Sequence, residues 1–341
     1  MAAGAATAPQ AIVSDGRRDM ATPDLGNAAA PVVHRPSLPK RSRVLTQRPD
    51  AATLAAELAA EAAEPIALGS SWLAAWRLAI YLSLTLLLMP LQFAFVLLRL
   101  HRLAERLPLR YHRFCCRIFG FEIIRIGEIS RARPTLFVAN HSSYLDIPVL
   151  GATLPASFVA KTEVANWPGF GILAKLQRTV FVDRRRGSTH HQRDGLQSRL
   201  EAGDNLILFP EGTSNDGNRV LPFRSALLSV AERHVRGAAL AVQPVSVSYT
   251  GLNGVPLGHG LRPMLAWYGD MTLGPHLWHF CRLGRVRVVV EFHPATTIDA
   301  FPSRKELTRS CFERVAQGVS QALAGQTGGF APPGPKTDKK H

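Results

Sequence analysis

The 341-residue chain carries 40 Lys and Arg against 25 Asp and Glu, a formal net charge of +15, with 46% hydrophobic and 19% charged residues. That length accommodates one large or two ordinary domains, the apolar content excludes a wholly disordered chain, and the low charged fraction argues against a long coiled coil. The four cysteines (Cys115, Cys116, Cys281 and Cys311) have no Cys-x-x-Cys spacing, so they match neither a disulfide framework nor a zinc site and point to a reducing compartment.

Residues 1–66 are Ala- and Pro-rich, end in an Ala/Glu run and show no apolar periodicity, which predicts a disordered tail with at most a short helix near its end. No apolar core closely follows Arg17 and Arg18, so a signal peptide is not expected. Residues 78–98 differ in kind. These 21 residues carry no charge, and as a helix they would extend about 32 Å, close to the thickness of a bilayer's hydrocarbon core. Pro90 would either kink one spanning helix or mark the turn of a hairpin dipping into one leaflet. Six arginines (Arg99, Arg102, Arg106, Arg110, Arg113 and Arg117) follow against Glu105 alone, whereas Glu61, Glu64 and Arg77 precede. The positive-inside rule therefore places the C-terminal body in the cytoplasm, at the inner membrane of a cell. Leu100, Leu103, Leu107, Tyr111 and Phe114 interleave with these arginines, so residues 99–118 read as a basic interfacial helix interrupted by Pro108, or as a solvated charged face.

Charge concentrates downstream. Residues 1–66 hold seven basic and seven acidic residues, whereas residues 99–324 hold 29 basic against 17 acidic. Such a body suits an anionic partner, whether nucleic acid, a membrane surface or a phosphorylated substrate. Apolar, β-branched runs at 135–139, 157–160, 180–182, 206–209, 242–248 and 286–292 are predicted strands. Helices are expected at 143–152, 168–176, 192–201, 224–235 and 304–323. This alternation predicts an α/β fold, a mainly parallel sheet flanked by helices, with an N-terminal membrane-embedded helical segment. Four stretches result: a disordered tail at 1–66, a membrane anchor with the basic helix at 67–118, an α/β domain at 119–324, and a Gly/Pro-rich disordered tail at 325–341.

The strand at 135–139 runs straight into Asn140, His141, Ser142, Ser143, Tyr144, Leu145 and Asp146. A strand end that opens into a helix is where α/β proteins place ligand chemistry. Histidine titrates in a range suited to general-base work, and a carboxylate fixes its tautomer. Five positions on an ideal helix span about 500°, so the pair meets only if His141 lies in the turn before the helix. Twelve His and twelve Asp would produce about 0.4 such spacings by chance, and the sequence has one. The strand at 206–209 likewise delivers Pro210, Glu211, Gly212 and Thr213 to a turn, a carboxylate, a flexible glycine and a hydroxyl in succession. Taken alone, that tetrapeptide also fits an ordinary loop.

In order along the chain, Asn140-His141-x4-Asp146, Val180-Phe181-Val182-Asp183-Arg184, Phe209-Pro210-Glu211-Gly212-Thr213 and Val242-Gln243-Pro244-Val245 resemble the motifs of the glycerolipid acyltransferase family, over residues 130–250. The resemblance implies an O-acyltransferase in which His141 and Asp146 activate an acceptor hydroxyl that attacks an acyl thioester. It implies that Glu211, Gly212, Thr213 and Arg184 bind the acceptor head group, with Arg224 nearby. It also implies a lysolipid acceptor, acyl-CoA or acyl carrier protein as donor, a bilayer as partner and phospholipid biosynthesis as context. A thioester is already activated, so no metal or redox cofactor is expected. An Asp146→Asn change would be expected to leave His141 in the wrong tautomer.

One departure bears on the acceptor. Many lysophosphatidate enzymes of the family carry arginine directly after Glu-Gly-Thr, whereas here Ser214, Asn215, Asp216 and Gly217 follow. The leading acceptor is 1-acylglycerol-3-phosphate. The surrounding sequence also resembles the bacterial branch that acylates lyso-ornithine lipid, so that acceptor stays open, and an arginine introduced at 215 would be expected to favour lysophosphatidate. Elsewhere, Arg185 and Arg186 read as solvated or lipid-facing, and His190 and His191 as surface histidines without further metal ligands. Trp267, Trp278 and Phe280 read as an interfacial belt or as core. A membrane-tethered protein that binds nucleic acid or lipid without catalysis is the rival class. It lacks any helix-turn-helix, zinc or aromatic RNA-binding signature, so no nucleic-acid partner is expected.

Overall fold

The computed structural model describes residues 69–182, 189–235 and 237–326. The expectations for 1–66, for most of the C-terminal tail, and for Arg184, Arg185 and Arg186 lie outside the described residues, as do the side chains of His190 and His191.

Helices α1 (Ser71–Leu97) and α2 (His101–Phe119) come first. Ser70 caps α1 by accepting the Leu73 N–H, and the helix continues unbroken through Pro90. The reversal falls instead at Arg99, whose φ is 54°, so Pro90 marks no hairpin turn. Pro108 does not interrupt α2 either, which runs through it to Gly120. Gly120 takes φ 78°, and a Cβ there would stand 2.5 Å from an Arg77 guanidinium nitrogen, so the left-handed cap and the close approach both require glycine.

One stripe of α1, with Ala74, Arg77, Thr85 and Gln92, is buried against the body. The Arg77 guanidinium donates to the carbonyls of Cys281, Leu283 and Gly284 at the end of a later helix, where a cation is favoured. Fifteen residues on, the Gln92 amide donates to Ala104 O and Leu176 O. The opposite side leaves Trp72, Leu82, Leu86, Leu87, Phe93 and Leu97 more than half exposed, and Leu100, Leu103, Phe114 and Ile172 add to this apolar surface. Among the described residues α1 is the one helix long and apolar enough to cross a membrane.

The remaining elements are β1 (Phe121–Ile126), β2 (Thr135–Ala139), α3 (Asp146–Thr153), β3 (Ser157–Lys161), α4 (Phe170–Leu176), β4 (Val180–Val182), α5 (Thr189–Glu201), β5 (Leu206–Leu208), β6 (His234–Val235), β7 (Ala238–Ala239), β8 (Ala241–Leu252), β9 (Val255–Pro256), α6 (Leu273–Arg282), β10 (Val286–Phe292) and α7 (Arg304–Leu323). The main sheet has the order β1-β10-β8-β2-β5-β3-β4, with β9 pairing on β8. Every ladder along that path is parallel except β10 with β8. β2 is buried at every position, with Leu136 and Val138 in one core and Phe137 and Ala139 in the other. The core of Phe137 and Ala139 also holds residues of α2, α3 and α6, and that of Leu136 and Val138 holds residues of α5 and α7, so the sheet is covered on both faces.

One helix expectation needs correction here, and two elements were not foreseen. Residues 225–232 form a 3-10 helix (Ser225–Glu232), and the small β6–β7 hairpin follows, where one helix to 235 was expected. β1 is an edge strand in which Glu122 and Arg125, three positions apart, are exposed on opposite faces, so no strict alternation marked it as a strand. α6, with Gly274 and Pro275 in its first turn, lacked a helix signal. Its Phe280 is buried core, while Trp278 is 38% exposed and Trp267 packs edge-on against Tyr144 and Trp167. All four cysteines are free and buried.

Candidate active site

β2 and β8 run parallel, with Ala139 opposite Val245. Beyond Ala139 the Asn140 side chain takes over the ladder, because its amide donates to Val247 O at 2.9 Å and accepts the Val247 N–H at 2.8 Å. The chain satisfies β8 with a side chain and is free to turn away, which lifts His141 off the sheet. Residues 141–145 form that turn, and α3 begins at Asp146, three residues later than expected.

His141 and Asp146 meet in the way the turn requires. His141 Nδ1 stands 2.8 Å from Asp146 Oδ2, with the Asp146 side chain fully buried and that of His141 23% exposed. The same Oδ2 accepts the Ser142 N–H at 2.8 Å and the Ser143 N–H at 3.0 Å, and Oδ1 accepts the Tyr249 hydroxyl at 2.8 Å. Each carboxylate oxygen therefore has a donor, and its orientation is set by three groups besides the imidazole. With Nδ1 facing Asp146, Nε2 is the nitrogen left for substrate. The imidazole lies flat on Phe209, with centroids 4.3 Å apart at 19°, and Phe209 stacks on Phe158 at 6.2 Å.

Glu211 is 2% exposed. One carboxylate oxygen accepts the His141 backbone N–H at 2.7 Å, and the other accepts the Asn215 amide at 2.8 Å and the Leu221 N–H at 2.9 Å. Its carboxylate thus braces the His141 turn against the loop after β5. Burial pushes the Glu211 carboxyl up to about 7, against the pull of those three donors. Asn215 completes the knot: its amide also donates to His141 O, and its oxygen accepts the Gly217 N–H. An arginine at 215 would break this knot rather than present a cation.

Gly212 turns the chain at φ 77°, and Thr213 is exposed beside it. Ser214, at the position after Glu-Gly-Thr, donates its hydroxyl to Trp267 O at 2.6 Å. Arg224 is exposed, and its backbone N–H donates to Pro210 O, which brings it next to the same turn. The structure thus gathers His141, Asp146, Glu211, Gly212, Thr213 and Arg224 at the C-terminal ends of β2 and β5. Sequence reasoning missed Asn140, Asn215 and Tyr249. The alternation Val245, Val247, Tyr249 places Tyr249 on one face of β8, but only the pairing of β8 with β2 brings it to Asp146.

A cavity of about 240 Å³ lies between α1, α2, α3 and α4. Its lining is almost wholly apolar and includes Leu88, Tyr111, Leu145, Phe158, Trp167 and Leu173. Along α1 the lining runs from Tyr81 to Gln92, about 16 Å of helix. Phe158 joins the cavity wall to Phe209 and so to the imidazole. No cluster of three metal-binding side chains occurs among the described residues.

Residues 122–248, from β1 into β8, match the family model described as Acyltransferase. The chain is 44% identical to the lyso-ornithine lipid O-acyltransferase of Brucella abortus over 72% of this chain and 92% of that protein. It is 40% identical to the enzyme of the same name from Rhizobium meliloti, over 71% and 84%. The 1-acyl-sn-glycerol-3-phosphate acyltransferase of Neisseria gonorrhoeae is 31% identical over 48% and 63%. In fold the chain is similar to the crystal structure of the 1-acyl-sn-glycerophosphate (LPA) acyltransferase PlsC from Thermotoga maritima, with a TM-score of 0.54 and 21% identity over 74% of this chain and 95% of that one. The His–Asp pair, its aromatic floor and its apolar cavity lie within or beside the matched segment, and the chain belongs to the acyltransferase family and is an acyltransferase.

Proposed function

We propose that this enzyme transfers a fatty acyl group from a thioester donor, acyl-CoA or acyl carrier protein, to the free hydroxyl of lyso-ornithine lipid, with His141 as general base. The observation that carries this reading is the pair itself: a half-buried imidazole whose Nδ1 is held by a fully buried, fully hydrogen-bonded carboxylate, leaving Nε2 open. Nε2 takes the acceptor's hydroxyl proton as the oxygen attacks the thioester carbonyl. The tetrahedral centre collapses, the C–S bond breaks, and the thiolate leaves with the proton from His141. The donor is already activated, so this route needs no metal or redox group. The Tyr81–Gln92 cavity is the place for an acyl chain, because its wall meets the aromatic stack under the imidazole.

Two observations favour lyso-ornithine lipid over 1-acylglycerol-3-phosphate. Four relatives matched over 74% or more of their own length bear the former name. Ser214 stands where a phosphate-binding arginine would be, with its hydroxyl committed to Trp267 O. The bared side of α1 seats the enzyme in the inner membrane from the cytoplasmic side, flanked by the arginines of α2. Gly212, Thr213, Arg224 and Arg184 remain candidates for the head group, and Glu211 braces the turn that carries Gly212 and Thr213.

The test is to incubate the purified full-length enzyme with labelled acyl donor and a panel of lysolipids in mixed micelles. Lyso-ornithine lipid should be acylated with the highest kcat/KM. Preference for 1-acylglycerol-3-phosphate would refute the acceptor assignment, and donor cleavage with no acylated lipid would refute the transfer itself.

A further inference from the structure

We propose that Tyr249 is a positioning residue for the acyl transfer: its phenol orients the Asp146 carboxylate, which in turn aims His141 Nε2 at the acceptor hydroxyl. The inference rests on the reading of His141 as general base.

Three observations support it. Asp146 Oδ2 is held by the Ser142 and Ser143 N–H groups, but a carboxylate anchored through one oxygen can still tilt about that oxygen. The Tyr249 hydroxyl, 2.8 Å from Oδ1, is the second anchor. Tyr249 is 5% exposed, and it comes from the strand whose neighbour carries Asn140. It is therefore set by the sheet rather than by the geometry of a turn. The phenol is also a dependable donor, because burial and the neighbouring Asp146 charge raise its pKa well above the ordinary value and keep it neutral.

A donor on Oδ1 has a second consequence. It withdraws charge from the carboxylate and so moderates how tightly the imidazolium proton is held. The titratable groups around the pair are Tyr249 from β8, next to Asp146, and Glu211 from the turn after β5, next to His141; Tyr144 from the turn before α3 and Cys116 from α2 lie near Tyr249. Of these, Tyr249 bonds the carboxylate.

The experiment compares full-length wild type, Tyr249→Phe and His141→Ala in the lysolipid assay across pH 5 to 9. Losing a hydrogen bond to a charged group should lower the kcat of Tyr249→Phe by about 10- to 10²-fold with KM within about twofold, since ground-state binding is untouched. The acidic limb of its kcat/KM profile should move to higher pH, because the carboxylate with one donor fewer binds the imidazolium proton more tightly. Limb position is independent of the fraction of protein folded, so a poorly folding variant still reports. An unmoved limb with kcat within about threefold of wild type, while His141→Ala is inactive, overturns the role of Tyr249 alone. Activity retained in His141→Ala overturns both this role and the general-base reading beneath it.

Discussion

Replacing Asp146 by asparagine should be far milder here than the loss of its charge suggests. Asp146 Oδ2 faces three donors, the N–H groups of Ser142 and Ser143 and the His141 Nδ1–H. Oδ1 faces the Tyr249 hydroxyl, which can donate or accept. The amide introduced by Asp146→Asn therefore has one satisfied arrangement: its oxygen toward the three donors, and its NH₂ toward Tyr249, whose hydroxyl turns to accept. His141 then keeps its Nδ1–H tautomer and its open Nε2, contrary to the expectation from sequence that the tautomer would be lost. In a serine protease the equivalent change reverses the tautomer and costs about 10⁴-fold in kcat. What disappears here is the ionic part of one hydrogen bond. A bond to a charged group contributes about 1.5–3 kcal/mol against about 0.5–1.5 for a neutral one. The difference, about 1–2 kcal/mol, corresponds to roughly a 5- to 30-fold fall in kcat. The assay is thiol release from the acyl donor with lysolipid present, on wild type, Asp146→Asn and Asp146→Ala, each checked by circular dichroism. Asp146→Ala, which leaves all four donors without an acceptor, should fall much further. A loss of about 10³-fold or more in a folded Asp146→Asn would show that the donors around Oδ2 do not dictate the amide's orientation, and the argument would fail.

Other outcomes follow from the same contacts. His141→Ala should lose at least about 10²-fold in kcat while remaining membrane-associated, because the base is gone and α1 is untouched; activity above about a tenth of wild type would contradict the assignment. Arg77→Met leaves the carbonyls of Cys281, Leu283 and Gly284 without their cation. It should lower stability by about 3 kcal/mol, read as the thermal midpoint in detergent. Glu211 has its carboxyl raised from 4.5 to about 7. The folded state thus holds this proton more tightly than the unfolded chain, and the stability it contributes is complete below pH 4.5 and lost as pH rises through about 7. Glu211→Gln should abolish that part of the slope of thermal midpoint against pH. It should also lower the midpoint overall, because its amide sets a donor against the donors of His141, Asn215 or Leu221. An equal slope in both proteins would count against it. Gly151→Ala would place a methyl 2.4 Å from His112 Cδ2 between α2 and α3, and should destabilise by about 1–3 kcal/mol in the same measurement.

The sequence by itself determined the parts whose physics is local. An uncharged run announced α1, β-branched runs announced β2, β3, β4, β5 and β10, and the strand-to-turn transitions at Asn140 and Pro210 announced where the chemistry would sit. Even the requirement that His141 precede the helix follows from helical geometry. It could not report which way a side chain faces once strands are paired. Glu211 looked like a ligand for substrate because its turn is Gly-rich and polar, yet the packing of that turn against the His141 turn draws the carboxylate inward and saturates it. Pro90 and Pro108 looked like breaks because proline removes a donor, yet both helices are held along their length by tertiary contacts that outweigh one missing bond. Tyr249 and Asp146 lie 103 residues apart, and their meeting depends on the register of β8 against β2. Register is set by many strands burying both faces at once. No window of sequence contains that information, and so the bond between Tyr249 and Asp146 emerged only from the folded sheet.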